Sequence, residues 1–214
     1  LRIYGRGRCA RTEEAAGCAL PVCGGAAREG RGKEHFRQCK AGTGVSGTLH
    51  AAARPDSGAS AAGYRNGLAW TQAGGEILFI ETVFTKGNGK LTITGQLGDV
   101  MKESAAIAVT LVKELYPEKA ELFAKNDLHI HVPAGAVPKD GPSAGITLVT
   151  ALSSLVSGKP VNPEIAMTGE VSLRGGIMPI GGLPEKLMAA QRAGVKKVYI
   201  PRTICRIWRM SQRR

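Results

Sequence analysis

The chain has 214 residues, a net charge of +12 and a sequence pI near 9.8, figures that invite a nucleic-acid reading. However, Lys and Arg outnumber Asp and Glu by five in residues 1–62, by only two in 63–200 and by five in 201–214, so the body of the chain offers no concentrated basic face. All five cysteines, Cys9, Cys18, Cys23, Cys39 and Cys205, lie in those ends with no C-x₂-C pair and an odd total, which excludes a zinc finger and a closed disulfide framework.

Residues 1–62 are rich in Gly, Ala, Arg and Ser and carry no sustained helical or strand period, a composition that predicts weak order. The first strand signals are Glu76 to Val83, apolar and β-branched, and Leu91 to Thr94, which alternates. A helix follows over Asp99 to Tyr116. Its wide stripe is Val100, Met101, Ala105, Ala108, Val109, Leu111, Val112 and Leu115, with Lys102, Glu103, Lys113 and Glu114 outside it. Leu128 to Val132 alternates again, placing His129 and His131 on one strand face. With no third ligand evident, they read as packed histidines rather than a metal pair.

Val137 to Pro142 is a turn-rich approach, and Ser143 then opens an apolar run, Ala144 to Val156, of helical length. Ser143 is therefore expected at a helix N-terminus. There it can be a plain capping serine, or a nucleophile whose oxyanion is stabilised by the helix start. Gly141-Pro142-Ser143-Ala144-Gly145 also fits the G-x-S-x-G nucleophile elbow, which requires an acid and then a histidine later in the chain. All four histidines, His35, His50, His129 and His131, precede Ser143. An order of His131, Asp140, Ser143 would crowd three partners into one short segment. A nucleophilic Ser143 consequently needs a lysine as base. No serine has a lysine three residues later, so the S-x-x-K arrangement is absent.

Ile165 to Leu173 is strand-like, a helix is expected from Leu183 to Ala193, and Val198 to Ile200 is a short buried strand. Lys186 falls inside the stripe Leu183, Leu187, Ala190, Ala193, so it points inward, while Glu185 projects to solvent. Lys159, Lys196 and Lys197 sit in turns. An amine on an apolar face loses hydration in its charged form, and its pKa falls toward that of a general base. The competing reading has Lys186 snorkel, its stem on the core and its ammonium in water.

The runs Gly67-Leu68-Ala69-Trp70-Thr71, Lys90-Leu91-Thr92-Ile93-Thr94-Gly95, Leu97-Gly98-Asp99-Val100-Met101-Lys102-Glu103-Ser104, His129-Ile130-His131-Val132-Pro133, Pro138-Lys139-Asp140-Gly141-Pro142-Ser143-Ala144-Gly145, Met167-Thr168-Gly169-Glu170 and Pro179-Ile180-Gly181-Gly182 occur in one order in a known family. By them, residues 67 to 201 resemble the proteolytic domain of the bacterial-type Lon proteases. The resemblance implies an α/β fold related to the second domain of ribosomal protein S5. It makes Ser143 the nucleophile and Lys186 the base, has Thr168 orient the lysine amine, and has Asp140 shape the site or its oxyanion pocket.

Implied with it are a serine endopeptidase acting on unfolded or damaged proteins, partner subunits forming a hexamer, and an AAA+ ATPase that drives the reaction. No cofactor is expected in this chain: there is no G-x-x-x-x-G-K-[ST] loop, and ATP and magnesium would belong to that ATPase. A cysteine-free body without a secretory hydrophobic segment points to the cytoplasm, with no membrane partner and no nucleic acid for the core.

The expected division is 1–62, 63–201 as the protease domain, and 202–214 as a basic tail. Resemblance stops abruptly at both ends, where Arg and Cys become frequent. Both ends are therefore expected to be out-of-frame translation, and the domain to be shortened at its C-terminus, which sequencing of the coding DNA tests. The alternative of another class is an inactive remnant that serves only as a protein-binding or oligomerising module.

Overall fold

Side-chain alternation along one long strand, β3 (Gly74–Lys86), sets the layers. Leu78 and Ile80 join one apolar cluster, whereas Ile77 packs against another, as successive residues of a strand must face opposite ways. The computed structural model describes residues 18–21, 62–71, 74–133 and 138–204. Cys9, Cys23, Cys39 and Cys205, and with them the composition-based expectations for most of 1–62 and for the tail beyond 204, lie outside the described residues.

The main sheet has seven strands. The remaining ones are β1 (Cys18–Pro21), β2 (Tyr64–Thr71), β4 (Leu91–Thr94), β5 (Asn126–His131), β6 (Ile165–Met167) and β9 (Lys197–Ile200), in the order β1-β9-β6-β2-β3-β5-β4. Pairings of β2 with β6, β6 with β9 and β4 with β5 are parallel. Those of β2 with β3, β3 with β5 and β1 with β9 are antiparallel. The fold is thus a mixed α/β architecture.

On one face lie α1 (Asp99–Leu115) and α3 (Gly145–Ser157). Met101, Ala105, Ala108 and Val112 of α1 and Leu148, Val149, Ala151 and Leu152 of α3 meet Leu78, Ile80, Leu128 and Ile130 of the sheet. On the other face α4 (Leu183–Arg192) packs Leu183 and Ala190 against Leu68, Ala166, Val198 and Ile200. Being sandwiched between α1 and the sheet, α3 is buried almost all round, with Thr147, Ser153 and Ser154 among its buried residues, which is why its sequence shows a run rather than a stripe. The short α2 (Ala120–Lys125) leads into β5. No described helix is long and apolar enough to cross a membrane.

The expected elements are found within a few residues of their expected ends, with two differences, but β1, in a segment read as lacking any strand period, β2 and α2 were not expected from the sequence. Val100 and Leu115, assigned to the buried stripe of α1, are 44% and 41% exposed, because they lie in the first and last turns of the helix, at the ends of the packed face. The segment Ile165 to Leu173 is not one strand. It splits into β6 and β7 (Glu170–Val171), the latter paired antiparallel with β8 (Ile177–Met178) in a separate ribbon. Thr168 N–H still bonds β9, at Tyr199 O and 3.1 Å, and the split falls at Gly169, whose backbone groups bond elsewhere: Gly169 N–H to Ser143 O at 2.8 Å, Ile146 N–H to Gly169 O at 3.0 Å.

A cost sits in the sheet itself. Arg65 is fully buried, and while Nη1 donates to the carbonyls of Val161 and Asn162 at 3.2 and 3.1 Å, Nε and Nη2 have no partner. Burial pulls its pKa down to about 10, the direction expected of a poorly compensated cation. Asn162 is exposed, so water can replace the guanidinium there. Arg65→Met is therefore expected to stabilise the fold by roughly 1–3 kcal/mol, read as a higher midpoint in thermal unfolding; an unchanged or lower midpoint would contradict it.

Candidate active site

Pro142–Ala144 forms a single 3-10 turn that runs directly into α3. The capping position of α3 is Ala144, and no side chain caps it, so the Ser143 hydroxyl is not used as a helix cap. The serine instead lines a cleft of about 990 Å³ whose walls include Trp70, Phe79, Met101, Pro138, Asp140, Ile180, Pro184 and Lys186. Its backbone is held from the far side: Ser143 O accepts from Gly169 N–H at 2.8 Å and from Thr168 Oγ1 at 3.3 Å. The break in the β6–β7 segment is what makes those two donors available.

Lys186 sits in the first turn of α4, its N–H bonded to Gly182 O at 3.1 Å. Pro184 in that first turn presets the helix. The start of β3 presses against this turn so closely that a Cβ on Gly75 would lie 1.9 Å from Glu185 O; only glycine allows the approach. Arg192 Nη2 adds a bond to Gly75 O at 2.8 Å. These contacts press α4 onto the sheet, and Lys186 ends only 2% exposed. The snorkelling alternative is thereby overturned, because the side chain ends inside the fold, at the wall of the cleft, rather than in bulk solvent. Glu185, expected in solvent, is half-buried at the cleft wall.

Lys186 Nζ donates to Thr168 Oγ1 at 3.3 Å, and Thr168 is 1% exposed. One hydroxyl therefore joins the amine to the serine's own carbonyl. Burial pushes the Lys186 pKa down to about 8, since the charged form loses hydration with no carboxylate to replace it. Lys159, Lys196 and Lys197 are exposed, and Lys196 pairs with Glu164.

Asp140 also lines the cleft, but its Oδ1 accepts from backbone N–H groups, Met101 in the first turn of α1 at 2.9 Å and Gly141 at 2.9 Å. Of the N–H groups around the serine, Gly141 is thus engaged by Asp140 and Gly145 by Pro142 O. His129 Nε2 and His131 Nδ1 both bond Thr94 Oγ1, at 2.9 and 2.7 Å. Among the described residues no group of three His, Cys, Asp or Glu side chains could hold a metal ion.

The pocket contribution of Trp70, 57% exposed at the cleft, was not evident in the sequence.

A hydroxyl and a desolvated amine facing one open cleft, both mounted on an α/β core, are the layout of a serine-type proteolytic domain. Comparison with known proteins gives the family. The sequence profile of the Lon protease (S16) C-terminal proteolytic domain matches residues 47–206, and the chain belongs to that family. It is 58% identical over 142 residues to a Lon protease of Methanosarcina barkeri, 61% over 140 to one of Clostridium beijerinckii, and 58% over 140 to Lon protease 1 of Bdellovibrio bacteriovorus. These alignments cover 64–65% of this chain and 18% of each relative, so the chain spans under a fifth of the length of those relatives.

Proposed function

We propose that this chain is a serine endopeptidase in which Ser143 is the nucleophile and Lys186 the general base. The observation that carries the reading is the buried Lys186 amine, tied through Thr168 to the backbone of Ser143 within one cleft. The neutral amine takes the Ser143 Oγ proton as the oxygen attacks a peptide carbonyl. The positive end of α3 faces the developing oxyanion. The ammonium then protonates the leaving amine, and water, deprotonated by the same amine, hydrolyses the ester. This chemistry uses side chains and water, and on this reading ATP and magnesium would act at a separate AAA+ ATPase rather than in these residues.

On the same reading the fold is related to the second domain of ribosomal protein S5. The substrates are unfolded or damaged polypeptides in the cytoplasm, delivered by an AAA+ ATPase, and the working assembly is a hexamer. Thr168 orients the amine, and Asp140 anchors the loop that carries Ser143.

The test is hydrolysis of an unfolded protein and a short fluorogenic peptide by the purified chain without ATP; absence of turnover together with no trapping of Ser143 by a peptidyl boronate would sink the proposal. Thr168→Val removes the hydroxyl between Lys186 and Ser143 while keeping the volume. It is expected to lower kcat by about 10- to 100-fold, with KM near its original value, and an unaltered kcat would remove Thr168 from the mechanism.

A further inference from the structure

The residues preceding Ser143 are fastened, bond by bond, to the turn that joins β4 to α1. Lys139 N–H donates to Gln96 O at 3.0 Å and Gly98 N–H to Lys139 O at 2.7 Å, making a parallel bridge between Leu97 and Lys139. Lys139 Nζ reaches Gly95 O at 3.3 Å. One residue on, the Asp140 carboxylate closes the ladder on Met101 N–H and Gly141 N–H.

The turn that receives this ladder is built at a conformational cost. Gln96 has φ 57° and is the only non-glycine among the described residues with a positive φ, a region that L side chains enter with strain. Gly98 leaves the space that the carboxylate occupies: a Cβ there would lie 2.3 Å from Asp140 Cγ. Strain held by surrounding structure next to reacting groups is a recognised sign of positioning.

We propose that the Gly95–Gly98 turn is a positioning element for the nucleophile, with Gln96 and Gly98 as positioning residues that act through Lys139 and Asp140. This rests on the reading of Ser143 as nucleophile. The left-handed Gln96 aims its carbonyl at Lys139 N–H and fixes the register of the loop. Gly98 lets Asp140 lock the next peptide. The turn carries no reacting atom, so its effect falls on how Ser143 is presented rather than on the basicity of Lys186.

The full chain carrying Gln96→Val, Gln96→Gly, Gln96→Asn or Gly98→Ala tests this. Peptide hydrolysis, the rate of Ser143 capture by a fluorescent peptidyl boronate and amide hydrogen exchange at Lys139 and Met101 are followed. A β-branched residue disfavours the left-handed region, so Gln96→Val is expected to lower kcat and capture about tenfold or more, with KM within about twofold and faster exchange at Lys139. Gly and Asn tolerate that region and should restore all three readouts. Gly98→Ala should lower kcat and speed exchange at Met101, and in a chain already carrying Asp140→Gly it should cost little more, because the Asp140 side-chain atoms it would meet, Cβ included, are gone.

The pH midpoint of the reaction should stay where Lys186 sets it in every variant. Equal rates for Gln96→Val and the unaltered chain would overturn the proposal, as would failure of Gln96→Gly to restore activity or a full additional loss in the Gly98→Ala, Asp140→Gly double variant. If Gln96→Val does not fold, the Gly98 and Asp140 series decides by itself. Failure of the nucleophile reading is distinct: the unaltered chain would then neither turn over nor capture the boronate, while hydrogen exchange would still report on the turn.

Discussion

Peptide hydrolysis should fall by about 10⁵-fold when Ser143 is replaced by alanine, with binding of unfolded protein retained. The argument is structural before it is chemical. Ser143 lies on a turn whose own backbone is fixed by Gly169 and Thr168, and its side chain caps no helix, so removing Oγ takes away no interaction that supports α3. The variant should therefore unfold at nearly the unaltered temperature. Parallel circular-dichroism melts and active-site titration separate the two quantities. Residual cleavage within about tenfold of the original rate would mean that another group attacks the peptide.

Lys186→Met should have a second large effect, and one of opposite sign on stability. Activity should drop by a factor similar to that of the serine variant, since the two act as one unit and such losses do not add. In the unaltered chain the neutral amine is the active form. With a pKa of about 8, hydrolysis is expected to climb about tenfold per pH unit below that value and to level off above it.

Folding responds in the reverse way. The unfolded chain has an ordinary lysine, whose pKa stands above the folded value, so below about pH 8 both states carry the proton and the burial penalty is fully present. As pH rises from there toward 10.5, the folded lysine loses its proton first and the penalty disappears. The separation of the two values corresponds to about 3 kcal/mol, and this is the most that Lys186→Met should add to stability at neutral pH. The gain should shrink as pH rises through that window, which urea titrations at several pH values would measure. A destabilised methionine variant, or a gain independent of pH, would show that burial of the charge is not what perturbs this lysine.

The two predictions together describe a site retained for chemistry at the expense of stability. Arg65 shares the burial but not the role. Its guanidinium faces two loop carbonyls rather than the cleft, and nothing in the structure gives that charge a task.

Several features were legible from residue order alone. The histidines all precede Ser143, which rules out a histidine base from the usual chain order, and the stripe Leu183, Leu187, Ala190 places Lys186 inward before any coordinates are known. Both conclusions need only chain order and the helical period. Short or doubly covered elements escape that logic. With six residues, α2 shows no full period. Along β2, Arg65 and Gly67 are buried on the α3 side and Leu68 on the α4 side, so apolar and polar residues do not alternate cleanly.

What only the tertiary structure decided is how deeply each group is buried and which distant groups it meets. A stripe position is compatible with either a snorkelling or a buried lysine; the contact of Gly75 with α4, more than a hundred residues away in sequence, settles it. The strand-like segment Ile165 to Leu173 looks continuous because local pattern registers side chains. The break after Thr168 comes from backbone hydrogen bonds of Gly169 to Ser143 and Ile146, and no sequence period encodes a long-range backbone partner. The strain at Gln96 is of the same kind, since a glutamine has no local preference for that conformation and is held there by a loop joined to it only in the folded chain. Sequence thus determined the residue types and the faces they occupy, while folding fixed the desolvation and register on which their proposed chemistry depends.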